Sequence, residues 1–131
     1  MSILTLSEAE RLDHDAATLP ISEIAVSLQG SLGQRMAAFL AGLSDAKQMG
    51  RYAREDGPEP RAAVARRLRH GYKIVRMISD AYDAETAKAW LFGTNTRLDD
   101  QAPIEMLRAA ESPEQFTAVV RAARQLASFQ T

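Results

Sequence analysis

Lys47, Gln48, Arg51 and Arg54, followed by Arg61, Arg66 and Arg67, are the side chains whose type and spacing suit recognition of an anion. Guanidinium and ammonium groups pair with phosphate oxygens whatever the base sequence, and a glutamine or arginine presented on a helix can also reach base edges. Residues 47–76 carry nine basic side chains against three acidic ones, although the whole chain has a net charge of -1. Residues 61–73 contain no carboxylate. A charge run on a helix is ordinarily a solvated face; the missing carboxylates and the neighbouring Lys47 segment favour contact with nucleic-acid phosphates instead.

Other chemistries find little material. The only histidines are His14 and His70, without the helical spacing that holds a metal, and there is no cysteine. No glycine-rich phosphate loop or nucleophile elbow occurs. Asp99 and Asp100 could be imagined as an acid/base pair, but adjacent aspartates in a turn are usually loop and cap residues. The expectation is a non-catalytic protein with no cofactor and no metal. No apolar run reaches the length needed to span a bilayer, and "MSILTLSEAERLDHD" lacks the basic start and apolar stretch of a signal peptide, so a cytoplasmic location with no membrane association is expected.

The elements that must position these residues read as helices throughout. Ser7 and Glu10 have capping-box spacing, but residues 1–20 are weakly periodic and are expected to form a mobile arm ending at Pro20. "SEIAVSLQG" opens a helix that Gly30 and Gly33 break. Two short helices follow, the first through Met36, Ala37, Phe39 and Leu40 to Gly42, the second capped by Ser44 and carrying Lys47, Gln48, Arg51 and Arg54 outward with Met49 and Tyr52 inward. The pattern Ala38, Gly42, Ser44, Met49, Tyr52 suits a helix-turn-helix, with an interval one residue longer than the commonest spacing; an ordinary helical hairpin with a solvated face fits as well.

Gly57-Pro58-Glu59-Pro60 is a stop. A long amphipathic helix over about 61–82 then carries Val64, Leu68, Tyr72, Val75, Met77 and Ile78, with Gly71 inside it to admit a neighbouring helix or a bend. Asp83 caps a helix through Ala87 and Trp90, residues 93–102 form a turn-rich connection, and Pro103 starts a short helix. Ser112-Pro113-Glu114-Gln115 combines a cap, a first-turn proline and a reciprocal glutamine before a last helix with Phe116, Val119, Val120, Ala123, Leu126 and Ala127 on one side. The fold class is all-α: a helix-turn-helix-like DNA-binding domain at 21–82 joined by the long helix to a small domain at 83–131.

Residues 89–103, "AWLFGTNTRLDDQAP", hold the only tryptophan. Periodicity alone makes Trp90, Leu91 and Phe92 the core of a small bundle. The order Trp90, Asn95, Leu98, Pro103, Met106-Leu107 resembles the C-terminal domain of the Xre/MbcA/ParS-like antitoxins. It departs from that family's frequent glycines, having Asp99-Asp100-Gln101 between the leucine and the proline and Glu111-Ser112-Pro113 before the last helix. The resemblance implies an antitoxin of a type II toxin-antitoxin system that occludes the active site of a RES-domain, NAD-consuming toxin and represses its own operon, as a homo-oligomer and as a hetero-oligomer with the toxin. It further implies toxin contact through Trp90, Phe92, Asn95, Arg97 and Leu98, and through a C-terminal tail of Phe129, Gln130 and Thr131. The alternative is a stand-alone helix-turn-helix regulator whose C-terminal half dimerises.

Overall fold

The computed structural model describes residues 6–128. They form eight α-helices: α1 Leu6–Thr18, α2 Ile21–Leu32, α3 Gln34–Ala41, α4 Ala46–Tyr52, α5 Ala62–Ala81, α6 Ala84–Phe92, α7 Pro103–Ala109 and α8 Pro113–Ser128, with a single 3-10 turn at Thr96–Leu98. Among the described residues there is no strand, only an isolated bridge between Asn95 and Gln101. No helix among them is long and apolar enough to cross a membrane.

The helices begin where local chemistry allows. Asp45 accepts from the backbone N–H of Lys47 at 2.9 Å, and Asp83 accepts from that of Thr86 at 2.7 Å. Each satisfies a first-turn donor that the helix itself leaves open. The cap of α4 is therefore Asp45 and not Ser44, which stands one residue too early for that bond. Before α8, Ser112 Oγ accepts from the Gln115 N–H at 3.4 Å while Gln115 Oε1 takes the N–H of Ser112 at 3.0 Å and of Glu111 at 2.7 Å. This is the reciprocal box expected there. Gly30 stays inside α2, and the break falls at Gly33, whose φ of 84° ends the helix.

α5 is the element the others surround. Its buried residues, from Val64 to Ala81, spread over roughly 220° of its circumference at 100° per residue, far more than the single stripe of a surface helix. It contacts α1, α2, α3, α6, α7 and α8. One hydrophobic cluster runs from Leu12 through Leu28, Leu40, Leu68 and Ile78 to Leu107 and Ala127, so residues on both sides of position 82 share a core.

Residues 6–18, expected in an arm, are helix α1 laid on α5. Leu12 and Ala16 are buried, and Asp13 pairs with Lys73 at 2.7 Å. Sequence periodicity there is weak because only these two side chains, four apart, carry the contact. Gly71 lies where α3 comes closest to α5: a Cβ built on it would stand 2.6 Å from Cδ2 and 3.0 Å from Cδ1 of Leu40, which is fully buried. Of the two reasons for a mid-helix glycine, close packing is the one realised.

Helix propensity alone would make Gly71→Ala stabilising by about 1 kcal/mol, whereas overpacking a core costs about 1–3 kcal/mol. Leu40 is fully buried and both of its methyl groups stand within 3.0 Å of the added carbon, so packing wins. Gly71→Ala is expected to lower the thermal midpoint, and a combined Gly71→Ala, Leu40→Val variant to recover part of the loss in the same melts.

Candidate interaction surfaces

The basic stretch divides between the interior and the surface. Arg69 on α5 donates through Nη1 to the carbonyls of Ala16 at 3.2 Å and Leu19 at 2.9 Å, at the C-terminal end of α1. Arg67 donates through Nη2 to the carbonyl of Ala110 at 3.0 Å, at the end of α7. Arg108 reaches back from α7 to the carbonyls of Phe39 at 2.7 Å and Leu43 at 3.3 Å at the end of α3, its guanidinium carbon 4.5 Å from the centroid of the Phe39 ring. Tyr82 Oη donates to the carbonyl of Leu126 in the last turn of α8 at 3.1 Å. Helix C-termini leave carbonyls without intrahelical donors and carry partial negative charge, so cations are favoured there.

Arg67, expected on the open surface, is half-buried and held on a carbonyl at the end of α7. Its Nη1 also runs beside Gly42, where an added Cβ would meet it at 2.8 Å; that glycine has φ 84° as the left-handed cap of α3. His70 is likewise turned inward, stacked on Phe116 with ring centroids 4.3 Å apart and planes within 13°. Burial holds its pKa below the ordinary histidine value, and the charges of Lys73 and Arg66 push the same way.

The remaining members of the anion-binding set stay outside. Lys47, Arg51, Arg54, Arg61 and Arg66 are exposed, and Gln48 is half-buried. Arg51 donates to Gln48 Oε1 at 2.6 Å and Arg54 pairs with Asp56 at 3.3 Å, so these three side chains are partly engaged with neighbours. Arg54 stands beyond α4, which ends at Tyr52, and so does not share that helix's outward face. Gly42, Met49 and Tyr52 occupy the turn and the inner face of the α3–α4 pair as expected, Met49 and Tyr52 being buried.

At the other end of the molecule the segment after α6 is a tight knuckle. The Asn95 side chain accepts from the N–H of Arg97 at 2.9 Å, the Asn95 carbonyl accepts from Leu98 and Asp100, and Gln101 closes the loop on the Asn95 N–H at 3.2 Å. Leu98, Pro103 and Leu107 are buried beneath it, and Trp90 is half-buried against the core. Asp99 and Asp100 have φ of 55° and 62°. Successive non-glycine residues in the left-handed region are uncommon, and aspartate tolerates it better than most. That tolerance accounts for the loop adopting this conformation without a glycine.

Phe92 is 40% exposed at the end of α6, one of two large hydrophobic side chains so placed among the described residues; the other is Val26 on α2. Arg97, Asp99 and Asp100 are exposed in the same loop. Phe129, Gln130 and Thr131 lie outside the described residues. No group of three or more histidine or carboxylate side chains suited to a metal ion gathers among the described residues. Compared with protein-family models, curated proteins and solved structures, the chain matches none.

Because the folded state disfavours the charged form of His70, an unfolded chain binds its proton more readily, and stability falls as pH drops below the ordinary histidine range of about 6.5 toward the lower folded value. Denaturant midpoints are expected to be level above that range and to decline below it, with the decline absent in His70→Gln. Asp83, whose pKa is lowered by its hydrogen bonds to Thr86, contributes a separate loss in more acidic solution as its carboxylate is protonated.

Proposed function

We propose that this chain is the antitoxin of a type II toxin-antitoxin pair, a non-catalytic cytoplasmic protein that binds a RES-domain, NAD-consuming toxin and covers its active site. The observation that carries this reading is the knuckle after α6. Each residue of the antitoxin-like order has a shaping task there: Trp90 and Met106 pack on the core, Asn95 caps the 3-10 turn, Leu98 and Leu107 anchor it, and Pro103 starts α7. What the shaping leaves facing outward is Phe92 with Arg97 and two aspartates. An exposed aromatic ring on a hydrogen-bonded rim of charged and polar groups suits an interface anchor better than it suits solvent.

Repression of its own operon belongs to the same reading. Lys47, Arg61 and Arg66 are exposed and make no ion pair among the described residues, which suits phosphate contact; Arg51 and Gln48 on α4 would be the base-edge readers. A stand-alone regulator using only this surface is the alternative, and it requires no toxin.

Co-expression with the toxin and an NAD-consumption assay on the purified complex test the first part. The intact chain is expected to co-purify and to keep the toxin silent. Phe92→Ala, at an exposed position, is expected to weaken the complex by about tenfold or more with an unchanged melt. Trp90→Ala is expected to lower the melt as well, because its side chain packs on the core. Removing residues 129–131 separates the tail from the knuckle: a complex that stays assembled but regains NAD consumption assigns the plug to the tail. A chain that neither binds nor silences the toxin removes the antitoxin reading.

For the operator, Lys47→Ala is expected to lower affinity across all sequences and reduce the slope of log affinity against log salt by about 0.9 for each duplex phosphate that the lysine no longer neutralises. Mobility-shift titrations over a range of salt read both quantities, and a slope indifferent to Lys47 would place the phosphate-binding surface elsewhere.

A further inference from the structure

The start of α5 and the α7–α8 junction enclose a groove of about 300 Å³ whose walls include Arg61, Arg66, Arg67, Glu111 and the ring of Phe116. We propose that this groove is an oxyanion site that takes a phosphate group. The site is distinct from the knuckle and does not rest on the antitoxin reading.

Three arginines face a single carboxylate residue, Glu111, so the groove carries an excess of two positive charges. Arg61 and Arg66 are exposed and make no ion pair among the described residues. Arg67 is already held in place: its Nη2 is fixed on the Ala110 carbonyl, and Gly42 leaves room for Nη1. Its Nε is buried and finds no acceptor among the described residues.

The backbone points the same way. Arg61 is the N-cap of the 20-residue α5 and provides no side-chain bond to the first turn, which also has no acidic residue. The N-terminal end of α5, where the helix dipole is positive, borders the groove at Arg61 and Ala63. A phosphate combines the required features: a compact size, negative charge, and several acceptor oxygens for guanidinium groups arriving from different directions. A carboxylate has fewer oxygens to share among three arginines. The phosphate can come from a free phosphorylated small molecule or from a nucleic-acid backbone, and the chemistry of the groove is the same for both.

The test uses the full-length chain and inorganic phosphate at constant ionic strength, with chloride as the balancing anion, read by isothermal titration and by the thermal midpoint. The expected result is a saturable phosphate response absent with chloride. Arg61→Ala with Arg66→Ala should weaken it by about tenfold or more while leaving the phosphate-free melt unchanged, since each removes a charge-assisted hydrogen bond from an exposed position. Glu111→Gln should strengthen it by removing the one opposing charge, a change that a purely structural role for the groove would not produce. Lys47→Ala, outside the groove, should leave it unaltered. Competition by a short DNA duplex assigns the phosphate to nucleic acid, and lack of competition assigns it to a small molecule. A response that is unsaturable, or equal in the double variant, overturns the site. Operator binding that persists in the absence of a phosphate response would sink the groove alone, and a phosphate response without operator binding would sink the operon reading alone.

Discussion

A helix that ends inside a small protein must find donors for its last carbonyls, and here that demand is met from far along the chain. Arg69 closes α1, Arg108 closes α3, Arg67 closes α7 and Tyr82 closes α8, across separations of 43 to 69 residues. Hydrogen bonds from a guanidinium are worth about 1.5–3 kcal/mol each, a large fraction of the net stability of a domain this size. Each bond also fixes where one helix ends relative to the side of another. α5 supplies two of the four donors directly and Tyr82 follows at its cap, so the central helix is both the apolar axis and the main source of the polar fastenings around it.

This division explains what was legible in the sequence. N-terminal caps use neighbours in the chain, and Asp83, the Ser112–Gln115 box and Pro103 could be read from spacing; only the choice between Ser44 and Asp45 went to the adjacent residue. The apolar face of α5 and the inward Met49 and Tyr52 were equally visible, because periodicity reports burial. C-terminal fastenings use residues dozens of positions away. Nothing local distinguishes Arg67 or Arg69, which bond carbonyls of other helices, from Arg66, which remains exposed. The basic run thus looked like one surface and is in fact two populations. α1 was missed for a related reason: its docking depends on Arg69 and Lys73, whose positions say nothing about residues 6–18.

The candidate surfaces inherit the same logic. The knuckle was legible as a pattern because its order of residue types is set by local turn geometry, with the Asn95 cap two residues from its donor. Its exposed members could not be separated from its buried ones by sequence alone: Trp90 and Phe92 look alike as aromatic residues in one helix, yet one lies half-buried against the core and the other faces outward. The groove at the start of α5 was invisible, since it exists only where α7 hands over to α8 against a helix some 45 residues earlier, and its third arginine is oriented by a carbonyl of that junction.

The fastening of α3 has a consequence for the order in which the molecule can be made. Arg108 follows Phe39 by 69 residues, so during synthesis α1 to α4 emerge with the end of α3 open and with the apolar side of α5 lacking α7 and α8. An N-terminal fragment in that state exposes core, which is the condition that recruits chaperones or invites aggregation. Completion of the native packing therefore waits until α7 and α8 have emerged.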